Sequence, residues 1–244
     1  WRIQNLKPAR VYIIGGNAAV STKVERRIAQ LIGSESNIQR IAGDTRYDTS
    51  LKVASSLSSP SDTVIVTTGT NYADALSISP YAFATGSPVV LSSPSSGLSD
   101  SALKAIKKAG YKKAVIVGGA SAVPASVASQ LKAQGIGDIT RLSGDTRYAT
   151  SAKIAEFELK QNVGFTMDGA YLATGQNFPD ALAAGALSGK HLAPLLLVDP
   201  GAHEACSFLS KYKGEVSRVI FVGGTSAIGN AEAISITRAL GVNG

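Results

Sequence analysis

The stretch GDTRYDTSLKVA at 43–54 returns almost letter for letter as GDTRYATSAKIA at 144–155. Two further signatures recur with it. A β-branched run closing on two glycines is written three times, as VYIIGGNAAV at 11–20, AVIVGGASAV at 114–123 and VIFVGGTSAI at 219–228. The segment TTGTNYADAL at 67–76 is matched by LATGQNFPDAL at 172–182. The copies stand roughly a hundred residues apart, too long a period for a solenoid turn and the size of a small domain. The chain must therefore fold as a tandem array of similar domains.

Within one period, short apolar runs alternate with helical segments. Strands are expected at 38–42, 63–67, 88–91 and 114–117, and helices at 45–57, 74–85, 99–109 and 124–134. Pro80 must sit near a kink or an end of the second helix, because a helix interior cannot supply its ring with space or use its missing N–H. Strands alternating with helices of this length make βαβ units, hence a parallel sheet covered on both faces. The fold class is α/β, in tandem three-layer modules with mainly parallel sheets. Three Gly-Gly units against two of each other signature leave a remainder. Residues 1–39 read as the C-terminal part of a preceding module, 40–139 as one module and 140–244 as the next; the alternative is a register starting at each Gly-Gly strand, with 205–244 as the surplus.

Composition narrows the partners. The 244 residues are 44% hydrophobic and can bury real cores. No apolar run approaches the roughly 18 residues of a membrane span, so no membrane insertion is expected. Opening on Trp1, with polar and charged residues close behind, reads as an internal or processing boundary. With 24 basic and 17 acidic residues the net charge is +7, which favours polyanionic partners; no nucleic-acid motif accompanies it. The lysines at 104, 107, 108, 112 and 113 read as a solvated helix face and its exit turn. The single cysteine, Cys206, forms no internal disulfide and reads as a small apolar filler.

Catalytic constellations are missing. The two histidines, His191 and His203, both fall in the second repeat, and neither a nucleophile elbow nor a zinc-protease motif occurs. No catalytic residue, metal ligand or cofactor is expected. The Gly-Gly turns lack the lysine and spacing of phosphate-binding loops and are expected to serve tight turns and close strand–helix packing. Asn71 and Asp74, matched by Asn177 and Asp180, stand where helices begin after strands; the aspartates suit the first turn of a helix, and the same edge of an open sheet favours ligands. Arg46 and Arg147 present rigid forks of donors suited to phosphate or carboxylate, with Tyr47 and Tyr148 able to stack on sugar rings. The alternative is that the arginines pair with a carboxylate between modules and set their geometry. Arg40 and Arg141 are expected to extend the basic edge, and Asp44 and Asp145 to cap the following helices.

Taken together, R-[IL]-x-G-D-T-R-Y-x-T-S, T-G-x-N-[YF]-x-D-A-L and [IV]-[IV]-G-G-x-x-A-[VI] resemble the cell wall-binding repeat 2 family of Gram-positive bacteria, over essentially the whole chain. The resemblance implies compact Rossmann-like or Toprim-like modules, packed in threes, that hold secreted proteins non-covalently on the cell wall and cell surface through anionic polymers such as teichoic-type or secondary wall polysaccharides. The third module would lie upstream or come from another chain. Carried over by position, the motif residues are Arg46, Tyr47, Asn71, Asp74, Arg147, Tyr148, Asn177 and Asp180, here expected to touch polymer. The alternative functions are the targeting region of an amidase-type wall hydrolase whose catalytic domain lies outside this segment, and a purely structural surface-layer element.

Overall fold

The computed structural model describes residues 2–57 and 61–242, so Trp1, expected to mark a boundary, lies outside the described residues. The chain divides into two compact units, 1–58 and 59–244.

The first unit holds α1 (Arg2–Leu6), β1 (Val11–Ile14), α2 (Thr22–Ile32), β2 (Ile38–Ile41) and α3 (Arg46–Ser55). Its two strands pair in parallel, Val11 opposite Ile38 and Ile14 opposite Ile41. Ser21 starts α2 by accepting from the Val24 amide, and Gly33 ends it in the left-handed conformation at φ 73°, the ordinary chemistry of helix ends.

The second unit opens with β3 (Thr63–Thr68), α4 (Ala73–Ser77), α5 (Ser79–Thr85), β4 (Val89–Ser92), α6 (Asp100–Ala109), β5 (Lys113–Val117), α7 (Ser126–Ala133) and β6 (Asp138–Leu142). It continues through α8 (Arg147–Lys160), β7 (Gly169–Thr174), α9 (Pro179–Lys190), β8 (Leu195–Val198), α10 (His203–Lys211), β9 (Arg218–Val222) and α11 (Asn230–Ala239). Two parallel sheets result, in the orders β4-β3-β5-β6 and β8-β7-β9. The helix expected over 74–85 is two helices meeting at Ile78. Pro80 sits in the first turn of α5, where its missing N–H costs nothing.

Both faces of the second sheet are covered, as the two-residue period of a strand requires when every position is apolar. Ala170, Leu172, Leu196 and Val198 face a core completed by Phe208, Leu209 and Ile236. Their neighbours Tyr171, Ala173, Leu195 and Leu197 face the other way, onto Ala181 and Ala184 of α9 and onto Ala73 and Leu76 of α4. The second core is thus shared by both repeats. Helix α8 spans them as well, placing Ile154 in the core of the first sheet and Ala155 in that of the second. The boundaries read from sequence fall inside strands: 39/40 divides β2, and 139/140 divides β6, which completes the first sheet beside β5.

Helices α5 and α9 approach closely at two glycines. A β-carbon on Gly185 would strike the Ser79 hydroxyl, and one on Gly189 would lie 2.6 Å from the Pro80 carbonyl and 2.9 Å from Phe83 Cβ. The first obstacle can rotate away; the second is backbone. Gly189→Ala is expected to destabilise the unit by about 1–2 kcal/mol in urea unfolding, since overpacking outweighs the alanine's better helix propensity.

Lys104, Lys107, Lys108, Lys112 and Lys113 are all exposed. Cys206 is half-buried against the second core.

Candidate functional site: the carboxyl edge and the repeat junction

Parallel strands deliver all their carboxyl ends to one edge, and there the three signatures meet. The turn after β3 carries Asn71 and leads into Asp74 on α4. The turn after β5 is Gly118-Gly119, and β6 runs into Gly144–Tyr148. Together they line an open cavity of about 220 Å³, with Thr68, Asn71, Asp74, Ser121, Asp145 and Arg147 among its walls.

Each repeated residue has a local task. Thr45 and Thr146 start α3 and α8 by accepting from the Asp48 and Ala149 amides at 3.2 and 3.1 Å. The caps are therefore these threonines and not Asp44 and Asp145, because the residue immediately before the first turn has the hydroxyl in range. Thr49 and Thr150 accept from the amides of Gly43 and Gly144, both at 3.0 Å. Lys52 and Lys153 donate to the carbonyls of Ala42 and Ser143 at 2.7 and 2.6 Å. Ser151 accepts from the Leu197 amide at 3.1 Å, occupying the outer edge of β8. The twelve-residue repeat is largely a latch that fastens a helix to the strand before it.

Asn71 caps its own turn, its side-chain oxygen accepting from the Ala73 amide at 3.1 Å. Asp74 lies in the first turn of α4, over Gly118. That glycine has φ 116°, and a β-carbon on it would stand 2.7 Å from the Asp74 carboxylate. Asp180 stands in the same relation to Gly223, at φ 122° and 2.6 Å. Glycine is needed at both turns for conformation and for clearance. Burial pushes the Asp74 carboxyl up, and the nearby Arg147 charge opposes that shift.

Arg147 donates to the Gly175 carbonyl at 2.7 Å and stands 5.8 Å from the centre of the Tyr72 ring. Tyr72 donates to the Gln176 carbonyl at 2.8 Å and meets the Phe178 ring at 5.7 Å. The Tyr148 ring lies so close to Gly175 that no side chain fits there. These are the partners of a junction: one arginine joins the start of α8 to the turns of both repeats. Asn177 is exposed at the corresponding edge of the second sheet. In the first unit Arg46 is exposed and Tyr47 half-buried at the start of α3, with the Tyr47 carbonyl accepting from Ser50 at 2.7 Å.

Two expectations change. Arg40 and Arg141 do not extend a basic edge. Arg40 donates to the Gly15 carbonyl at 2.6 Å and to Glu25 at 2.9 Å; Arg141 donates to the carbonyls of Gly118 at 2.7 Å and Val123 at 3.0 Å. Each secures the Gly-Gly turn of the neighbouring strand, because strand carboxyl ends leave carbonyls that an adjacent arginine can collect. Sequence reasoning singled out no role for Gly175, Ser121 or Thr150, although Gly175 repeats Gly69 and Thr150 repeats Thr49 in the matched copies.

Among the described residues no group of three or more His, Cys, Asp or Glu side chains is placed to hold a metal ion, and no helix is long and apolar enough to cross a membrane. His203 bonds Asp199 at 3.1 Å, and His191 bonds the Tyr171 hydroxyl.

The family model for cell wall binding domain 2 matches residues 40–128 and 141–233. The chain is 32% identical over 198 residues to the N-acetylmuramoyl-L-alanine amidase LytC of Bacillus subtilis, covering 81% of this chain and 37% of the relative. It is 32% identical over 228 residues to the amidase enhancer of the same organism, covering 93% and 29%. It thus spans about a third of the length of these relatives. Among solved structures it is similar to Cwp8 from Clostridium difficile, with a TM-score of 0.80 and 27% identity over 98% of this chain and 39% of that one. Cwp6 from the same organism shares the fold, with a TM-score of 0.83 and 22% identity over 96% and 37%. With two family repeats covering most of its length, the chain belongs to the cell wall binding domain 2 family.

Proposed function

We propose that this chain anchors a secreted surface protein non-covalently to the cell wall by holding anionic wall polymers of the teichoic or secondary wall polysaccharide type. Its family binds the wall; the net charge of +7 supports an anionic ligand. The observation that carries the reading is the cavity where three repeated motifs converge on Asn71, Asp74, Ser121 and Arg147. It offers amide, hydroxyl and guanidinium groups at the edge where open parallel sheets take ligands. Asn177 and Asp180 would continue that contact on the second sheet, and Arg46, Tyr47 and Tyr148 belong to the same proposed set. The chain itself is read as a binding region without catalytic residues. The names of its Bacillus relatives favour one further possibility, that such a region directs a wall hydrolase to its substrate.

A third module is also proposed, upstream or from another chain. Tyr72, Leu76 and Tyr81 are covered by the second repeat, with Leu76 at 8% and Tyr81 at 6% exposure. Counted from the shared aspartate, their counterparts are Phe178, Leu182 and Leu187, which are 51%, 59% and 45% exposed. A surface that one repeat buries under its neighbour lies open on the other.

Co-sedimentation with purified cell walls tests the anchoring. Binding is expected to vanish once mild acid has stripped the anionic polymers, and to weaken several-fold as salt rises toward about 0.5 M. Attachment indifferent to both treatments would point to peptidoglycan and remove the anionic polymer from the proposal.

A further inference from the structure

We propose that the outer edge of β9 is an acceptor for a parallel β-strand that carries an arginine, in the pattern Ile-x-Arg-[Ile/Leu] shared by β2 and β6. This goes beyond polymer binding and is tested without polymer. The warrant is a comparison of the three Gly-Gly turns.

After β1, the Gly15 amide donates to the Ile41 carbonyl of β2 at 2.9 Å, and Arg40 of β2 donates to the Gly15 carbonyl at 2.6 Å. After β5, the Gly118 amide donates to the Leu142 carbonyl of β6 at 2.8 Å, and Arg141 of β6 donates to the Gly118 carbonyl at 2.7 Å. The turn after β9 has the same Gly-Gly pair and a similar backbone, with φ 122° at Gly223 against 116° at Gly15 and Gly118. Within residues 61–242, however, no strand carbonyl receives the Gly223 amide, and no arginine reaches its carbonyl.

The strand itself shows the same incompleteness. Four of the five residues of β5 are buried, and the corresponding four of β9 are only half-buried. Its one charged residue is Arg218, at the start, and Val219–Val222 are apolar. An edge strand that stays unpaired is usually protected by inward charges, proline or a bulge; β9 has none of these. A strand added there would gain main-chain hydrogen bonds, the common mode of recognition at a sheet edge. Its arginine would gain a charge-assisted bond to the Gly223 carbonyl. The occupant is thus an extended segment with the chemistry of Ile38–Ile41 or Ile139–Leu142.

The test uses the chain's own strand as probe. A synthetic peptide of residues 138–145, DITRLSGD, is titrated into the isotope-labelled full chain, and amide exchange is followed at β9 and Gly223. Exchange there is expected to slow by at least about ten-fold at saturation. The same peptide with R141A is expected to bind about ten-fold more weakly or worse, the loss of one charged hydrogen bond. As weak binding in trans could hide the effect, the peptide is also fused after Gly244 through a flexible linker of about fifteen residues, giving an effective concentration near millimolar. Protection of Gly223 and β9 in the fusion supports the proposal. Unchanged exchange in the fusion overturns it, as does equal protection by the R141A peptide or protection confined to other strands.

Discussion

Arg147→Ala is expected to lower the unfolding free energy of the second unit by about 2–3 kcal/mol, read from the urea midpoint at constant m-value. The change deletes a charged hydrogen bond to the Gly175 carbonyl and the guanidinium contact with Tyr72. It also leaves the Asp74 carboxylate without the positive charge that opposes its desolvation, and an uncompensated carboxylate is costlier than none. Asp74→Asn in the Arg147→Ala background should therefore restore part of the loss, a non-additivity expected of neighbours. The sign with pH follows from the direction of the shift. An acid whose folded pKa is raised is most favourable when protonated, so the single variant should lose further stability as pH rises above the ordinary carboxyl range. An unchanged midpoint with lost wall binding would mean that Arg147 serves the polymer alone.

The other large effect is expected at Glu158. This side chain of α8 is 1% exposed, and its Oε1 has no hydrogen-bond partner. Burial pushes its carboxyl well above the usual range, opposed in part by the Tyr81 backbone amide. The groups facing it include Tyr81, whose hydroxyl is itself pushed up by burial, by Asp62 and by Glu158. Burial in the folded unit favours the neutral form of Glu158; in the unfolded chain the carboxyl ionises near an ordinary value of about 4.3. Between that value and the raised folded value, the unfolded state releases a proton that the folded state keeps. Stability should fall with rising pH, at a slope of up to about 1.4 kcal/mol per pH unit from this one group. Glu158→Gln keeps the shape and removes the proton. Its stability relative to the parent should therefore improve steadily as urea unfolding is repeated from pH 4.5 upward. A difference that stays flat with pH would show that the carboxyl ionises within the fold.

Both predictions concern the seam between repeats, and that is where sequence and structure part company. The arginine motif presented two readings on equal terms, a polymer contact and an inter-module pair. The partners observed at Arg147 are backbone carbonyl, aromatic ring and a partly buried carboxylate, drawn from segments far apart in the chain. Sequence can display a guanidinium fork, but only the fold says which carbonyls it meets. The same holds for Arg40 and Arg141, whose charge suggested an exposed edge although their targets are turns on the adjacent strand.

What the sequence determined by itself is everything local. The recurrence of three signatures established tandem modules, and alternation of β-branched runs with amphipathic segments established parallel α/β layers, because strand and helix periods are properties of neighbouring residues. Paired glycines after each apolar run marked tight turns, and the first glycine of each pair holds φ between 116° and 122°, where an L side chain is strained. Tertiary structure decided the rest. It assigned β6 to the sheet of the preceding repeat, split one expected helix at Ile78 and moved the caps from Asp44 and Asp145 to Thr45 and Thr146. It also buried Glu158 of α8, so that the carboxyl of an ordinary acidic letter on a helix is pushed toward its protonated form. Strand partnership, burial and the meeting of distant motifs depend on which surfaces exclude water together, and only the folded chain specifies those surfaces.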